Sequence, residues 1–210
     1  MAGTSPLDRG ERLFWSYNTI MDKNKIKEIL YKELENNIAK HSIALAACMK
    51  ELAIKTGNEN EADKWEIAGL IHDLDYSPSY KTEEHTLKTA DVLAKYDIKI
   101  DDEIIDIVKA HAPKLSSVEP KTAAQWSIFC ADSLTGLIVA VALVYPSKKL
   151  ADVKLSSVIK RFLKEPRFAA GTRREEVQMC EKPDGLNMPL DKFVEICLMA
   201  MQGVAEEIGL

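Results

Sequence analysis

Cysteine and histidine are both scarce in this 210-residue chain, which contains four of each. The cysteines form no CxxC pair, so neither a redox dithiol motif nor a zinc ribbon is indicated. We interpret them as reduced, mostly buried thiols of a cytoplasmic protein. Long apolar runs are also missing. The richest run, at 134–145, is too short to cross a membrane, so no membrane partner is expected.

The chain has no excess of positive charge. It contains 28 Lys and Arg residues against 33 Asp and Glu residues, for a net charge of −5. Nothing in this balance suggests a nucleic-acid partner. The first 20 residues lack the apolar region of a secretory signal and do not share the helical pattern that follows. We interpret residues 1–20 as a leader or vector-derived arm.

Strand-like alternation is absent, and nearly every segment after residue 21 has the period of an α-helix. Helices are predicted over 23–36, 37–56, 61–74, 82–96, 101–113, 122–145, 156–164, 173–180 and 190–208. For the helix at 82–96, Thr82 is the expected N-cap. The pattern predicts one all-α domain over residues 21–210. It leaves the oligomeric state open, with a homodimer as one option.

Several polar residues occupy apolar helical positions. His41 lies on the apolar face of its helix, His72 and His111 end apolar helices, and Asp132 lies inside the most apolar one. A buried imidazole or carboxylate is costly unless it meets a partner. Any one of them alone is also compatible with a hydrogen-bonded core residue. Together, histidine and aspartate side chains from several helices are typical ligands of divalent transition metals.

The order of these residues resembles the signature of the HD-domain superfamily of metal-dependent phosphohydrolases. A histidine comes first, "HD" at 72–73 ends a helix, and a distant aspartate lies in a later helix. The chain has "IHDLD" where HDIG-type members have "LHDIG", so Asp75 replaces the usual glycine. "EHTLKTADVL" follows, as in HDIG-type members. The segment after Asp132 is similar to small bacterial HD hydrolases.

The resemblance implies an HD-domain helical bundle with its core at about 36–145 and a C-terminal helical extension at 146–210. It implies a first metal held by His41, His72, Asp73 and Asp132, and a second metal held by His85 and His111, with Asp73 bridging the two. The ions would be divalent transition metals: Mn, Fe, Co, Ni or Zn. Together with a metal-activated water they would cleave a phosphomonoester or phosphodiester of a small phosphorylated substrate, with nucleotides among the candidates.

Two further residues are candidate catalytic groups beside Asp73. Asp75 or Lys114 could assist proton transfer or stabilise the leaving group. A turn residue is an equal interpretation of Asp75, and a solvated loop lysine is the simpler interpretation of Lys114.

A basic segment follows the apolar helix. Residues 147–174 contain nine Lys and Arg residues and two acidic residues. Arginine and lysine are suited to phosphate recognition. Lys148, Lys149 and Arg161 are the candidate substrate-binding residues, and the alternative is a solvated basic surface.

Two other functions fit the same residues. Some HD-domain relatives are di-iron oxygenases, and six His and Asp ligands serve that chemistry equally well. The other alternative is a non-catalytic nucleotide-binding module with a vestigial site, although such a module would not need all six ligands.

Overall fold

The computed structural model describes residues 22–210, so the predicted leader lies outside the described part of the chain. Between residues 22 and 210 the backbone forms α-helices and short 3-10 helices and no strand, which confirms the all-α prediction. The α-helices are α1 (Lys23–Glu33), α2 (Asn36–Lys55), α3 (Ala62–Ile71), α4 (Thr89–Ala94), α5 (Asp102–Lys109), α6 (Pro113–Ser116), α7 (Ala123–Val144), α8 (Leu155–Lys164), α9 (Arg174–Gln178), α10 (Leu190–Gly203) and α11 (Ala205–Ile208). The 3-10 helices are Glu59–Glu61, Thr82–Glu84, Leu150–Asp152 and Met179–Glu181.

Helix α2 lies at the centre of the bundle, where it packs against α3, α7 and α10. Leu45, Met49 and Leu52 recur every three or four residues along α2 and are fully buried. This spacing places them on one side of the helix, which therefore faces the core. Because α10 also packs on α2, the C-terminal segment contacts the same helix that carries His41.

Helix α7 corrects one sequence-based expectation. Among residues 22–210 it is the one helix long and apolar enough to cross a membrane by length and composition, because its apolar run begins well before residue 134. However, 67% of its apolar window is buried inside the protein. A buried core helix of a globular bundle has this composition, since it is covered by protein on most of its circumference.

Helices α2 and α3 approach each other most closely at Gly69. A Cβ atom on Gly69 would lie 2.6 Å from the Cα atom of Ala46 and 2.8 Å from its backbone nitrogen. Only a residue without a side chain allows this approach. The contact sets the distance between the helix that carries His41 and the helix that ends at His72.

The predicted helix over 82–96 is wrong in its first half. The chain makes a 3-10 turn at Thr82–Glu84, and α4 begins only at Thr89. Thr86 has a φ angle of 72°, a left-handed conformation that an α-helix does not contain. The Asp75 carboxylate accepts hydrogen bonds from the backbone N–H groups of Thr86 (3.1 Å) and Lys88 (2.8 Å). These long-range hydrogen bonds replace those that a helix would provide.

Candidate metal centre

Six side chains meet beside the end of α3. They are His41 on α2, His72 and Asp73 just after α3, His85 in the turn before α4, His111 just after α5, and Asp132 on α7. Five separate parts of the chain therefore contribute to one cluster. Its ligand atoms form two groups that share Asp73.

The first group contains His41 and His72, whose Nε2 atoms are 3.2 Å apart. The Oδ1 atom of Asp132 lies 3.0 Å from the Nε2 atom of His41 and 3.7 Å from that of His72. The Oδ2 atom of Asp73 lies 3.2 Å from the Nε2 atom of His72. Ligand atoms that lie about 2.0–2.2 Å from one metal ion have comparable separations from one another.

The second group is built in the same way around the other oxygen of Asp73. The Nε2 atoms of His85 and His111 are 2.9 Å apart. The Oδ1 atom of Asp73 lies 3.4 Å from the Nε2 atom of His85 and 3.7 Å from that of His111. Asp73 therefore directs one carboxylate oxygen to each pair of histidines.

The outer nitrogen of each histidine ring is held by the protein. The Nδ1–H groups donate to the carbonyl oxygen of Gly69 (His72, 2.9 Å), the carbonyl oxygen of Val108 (His111, 2.6 Å), the carboxylate of Asp75 (His85, 2.9 Å) and the hydroxyl of Thr135 (His41, 2.9 Å). A carbonyl oxygen only accepts hydrogen bonds, so the proton must be on Nδ1 in His72 and His111. The Thr135 hydroxyl donates to the carbonyl oxygen of Asp132 at 2.8 Å, which leaves it to accept from His41.

With Nδ1 protonated, a neutral imidazole presents its Nε2 lone pair to the cluster. Two such lone pairs at about 3 Å repel each other unless a proton or a metal ion lies between them. Outer hydrogen bonds that fix the tautomer and the ring orientation are typical of histidines that bind metals. The residues present therefore fit divalent transition metals.

The pKa values of the histidines and aspartates in the cluster depend strongly on the charges of their neighbours. Burial lowers the pKa of His72, but the carboxylates of Asp73 and Asp132 outweigh this and raise the pKa to about 10. Burial and the neighbouring His72 lower the pKa of His111 to about 4. The pKa of the Asp73 carboxyl is lowered because its attraction to His72 exceeds the effect of burial. The two carboxylates therefore favour a positive charge at His72.

Asp75 is buried and contacts His85 rather than the interior of the cluster. Besides the two backbone groups in the turn, its carboxylate accepts from the hydroxyl of Thr89 at 3.2 Å. Burial raises its pKa, but the hydrogen bonds from His85 and the backbone outweigh burial, so the net shift is downward. Asp75 is therefore held as an anion that orients the His85 ring.

Thr135 and Arg173 also contact the cluster. Thr135 was not a candidate in the sequence, and Arg173 was one of the nine basic residues of 147–174 but not one of the three candidate substrate-binding residues. Thr135 lies one helical turn after Asp132, so its spacing on α7 was an available signal. The Arg173 guanidinium lies 2.6 Å from the Oδ2 atom of Asp132, although 41 residues separate the two in sequence. No pattern of neighbouring residues could indicate the contact between Arg173 and Asp132.

The hydrogen bonds and ion pairs of the cluster described above involve none of the predicted residues Lys114, Lys148, Lys149 and Arg161. Lys114 is exposed on the short helix α6, and Lys148 and Lys149 are exposed beyond the end of α7. From Asp132 to that end, α7 extends about 18 Å at 1.5 Å per residue. The guanidinium of Arg161 packs 5.2 Å from the centre of the Phe168 ring. The functional roles of these four residues stay predictions.

The fold and the site together define an all-α protein with a candidate dinuclear metal centre. The sequence matches the HD domain family over residues 38–137, which include all six clustered side chains. Residues 38–137 therefore form an HD domain, as the order of the histidines and aspartates predicted. Comparisons with curated proteins and with solved structures gave no match.

Proposed function

We propose that this protein is a metal-dependent phosphohydrolase that cleaves phosphoester bonds of a small phosphorylated substrate. The observation that carries the proposal is the convergence of four Nε2 atoms on the two oxygens of Asp73. Two divalent transition-metal ions bound there would supply Lewis-acid polarisation of a phosphoryl group and a water of lowered pKa.

Each residue of the cluster would have a separate role in binding the two ions. His41, His72 and Asp132 would hold one ion, His85 and His111 the other, and Asp73 would fix their separation. Asp75 would keep the Nε2 atom of His85 directed inward through its hydrogen bond to Nδ1, at 2.9 Å.

The side chains of the cluster differ in their exposure to solvent. The side chain of His41 is 25% exposed and that of Asp73 is 16% exposed, whereas that of His72 is 0% exposed. A small substrate would therefore approach from the side of His41 and Asp73. Loss of water around the buried groups strengthens their electrostatic interactions with a bound anion.

Metal analysis of protein purified without chelators, followed by a panel of phosphomonoesters and phosphodiesters, tests the proposal. We expect about two metal ions per chain and, with Mn, Co or Ni, release of phosphate from a monoester or of a phosphomonoester from a diester. Asp73→Asn should abolish release, while Asp184→Asn, at an exposed loop position, should not change it.

Other outcomes would contradict the hydrolase assignment. Bound iron with oxygen uptake and no hydrolysis of any phosphoester would identify a di-iron oxygenase. Nucleotide binding without metal or turnover would identify a non-catalytic module.

A further inference from the structure

Arg173 connects the C-terminal segment to the metal centre. It lies outside residues 38–137, just before α9, yet its Nη2 atom is 2.6 Å from the Oδ2 atom of Asp132. Among the ion pairs of residues 22–210, this is the one that brings a lysine or arginine to the six clustered side chains. The segment beyond the HD domain therefore contributes a positive group directly beside the candidate metal centre.

The backbone around Arg173 is fixed by its neighbour. Arg174 donates hydrogen bonds to the carbonyl oxygens of Phe162 (3.0 Å), Glu165 (3.3 Å) and Phe168 (2.6 Å). These three bonds hold the connection between α8 and α9 against the end of α8. The hydrogen bonds of Arg174 therefore fix the backbone position of Arg173 beside Asp132 before any ligand binds.

The Arg173 guanidinium has N–H donors that make no hydrogen bond to any of residues 22–210. Its Nε–H group donates to Glu176, and one Nη2–H donates to Asp132. An arginine has five N–H donors, so three remain available for a ligand. The side chain is 48% exposed, which gives a ligand access to them.

Asp132 uses its two oxygens differently. Oδ1 faces the Nε2 atoms of His41 and His72, and Oδ2 faces Arg173. A cation bound by the histidines would also attract the negative charge of the Asp132 carboxylate. The carboxylate would then neutralise the positive charge of Arg173 less completely. Positive charge would then increase where a substrate anion arrives.

We propose that Arg173 binds the phosphoryl oxygens of the substrate, so that the C-terminal extension completes the anion site of the metal centre. The inference rests on the proposed phosphohydrolase function. A guanidinium is suited to the role because its planar fork matches two phosphate oxygens at once, whereas an ammonium acts as a point charge. Unlike Lys148 and Lys149, Arg173 already contacts a side chain of the cluster.

The test is titration of the Mn(II)-loaded full-length protein with inorganic phosphate, for wild type, Arg173→Gln and Arg173→Lys. We expect Arg173→Gln to weaken phosphate binding by roughly tenfold to a hundredfold, the range for a lost hydrogen bond to a charged group. Arg173→Lys should restore part of the loss. Arg167→Gln is the matched control, because Arg167 is an exposed arginine of the same segment.

Metal content and circular dichroism are measured on every variant. Unchanged phosphate affinity in Arg173→Gln, with both ions bound, would overturn the proposal. Loss of metal from this variant at unchanged helicity would also overturn it, because Arg173 would then act by holding Asp132. Wild-type protein that loads metal but neither binds phosphate nor cleaves phosphoesters would refute the proposed function itself, and the role of Arg173 with it.

Discussion

Replacing Gly69 by alanine would test whether the contact between α2 and α3 sets the geometry of the metal centre. The new Cβ atom would lie 2.6 Å from the Ala46 Cα atom, whereas ordinary contact begins at 3.4 Å, so the helices must separate by about 0.8 Å. The obstacle is backbone, which no change of rotamer can remove. Gly69 also accepts the hydrogen bond from His72 Nδ1, so the shift passes directly to a candidate ligand.

The expected magnitude follows from two opposing effects. Overpacking of this kind costs about 1–3 kcal/mol, and a rigid backbone obstacle places Gly69→Ala at the upper end. Alanine is the better helix former by about 1 kcal/mol, so the net loss of unfolding free energy is about 2 kcal/mol. For a chain of this size that lowers the melting temperature by roughly 4–8 °C. Metal affinity should fall as well, because ligand distances tolerate only about 0.2 Å of change.

Gly136→Ala on α7 is the matched control, since a Cβ atom there meets nothing within 4 Å. It should raise the melting temperature slightly, because only the helix propensity changes. Thermal unfolding of the metal-free variants and titration with Mn(II) provide the two measurements. If Gly69→Ala were as stable as Gly136→Ala and bound metal like wild type, the close approach would not control the site.

The remaining predictions concern the ligands and their protons. Asp73→Ala should remove most bound metal and nearly all phosphoesterase activity, which elemental analysis and turnover assays would measure; full metal occupancy with wild-type turnover would contradict the bridging role. His111→Gln should lower the metal content from two ions towards one while the circular dichroism spectrum persists, and an unchanged stoichiometry would make His111 a core residue. Asp75→Asn should weaken the second ion by about tenfold to a hundredfold in competition titrations, because the His85 ring loses its charged partner; equal affinities would make Asp75 a turn residue only. Metal affinity should rise about tenfold per pH unit between roughly pH 6 and 8. The pKa of His72 is raised to about 10, so a metal ion must displace a proton from its Nε2 atom in order to bind there. A flat pH profile would exclude this proton release.

Much of the helical fold was accessible from sequence because its signals are local. In α5, Ile104, Ile105 and Val108 form an apolar face, and the Asp101 side chain caps the start of the helix. The same locality explains the prediction of the long helix α7. The break between α1 and α2 also fell close to its predicted place.

Three features that the sequence did not reveal share one physical cause, which is a contact between residues far apart in sequence. The first half of the predicted helix over 82–96 is replaced by a turn because Asp75 accepts backbone N–H groups 11 and 13 residues later. Gly69 is an ordinary helical glycine in sequence, and its role is visible only when Ala46 is placed beside it. The pairing of Arg173 with Asp132 likewise depends on how the C-terminal segment returns to α7.

The clustered side chains come from five segments spread between His41 and Asp132, and this spacing ties metal occupancy to the integrity of the whole bundle. An unfolded chain cannot hold these side chains around one ion, so an ion that binds the folded form selectively shifts the folding equilibrium. At a free concentration one hundred times its dissociation constant, each ion would stabilise the folded protein by about 2.7 kcal/mol. When the supply of metal falls, such a protein would lose this stabilisation together with its reactive centre, and its unfolded fraction in a cell would rise.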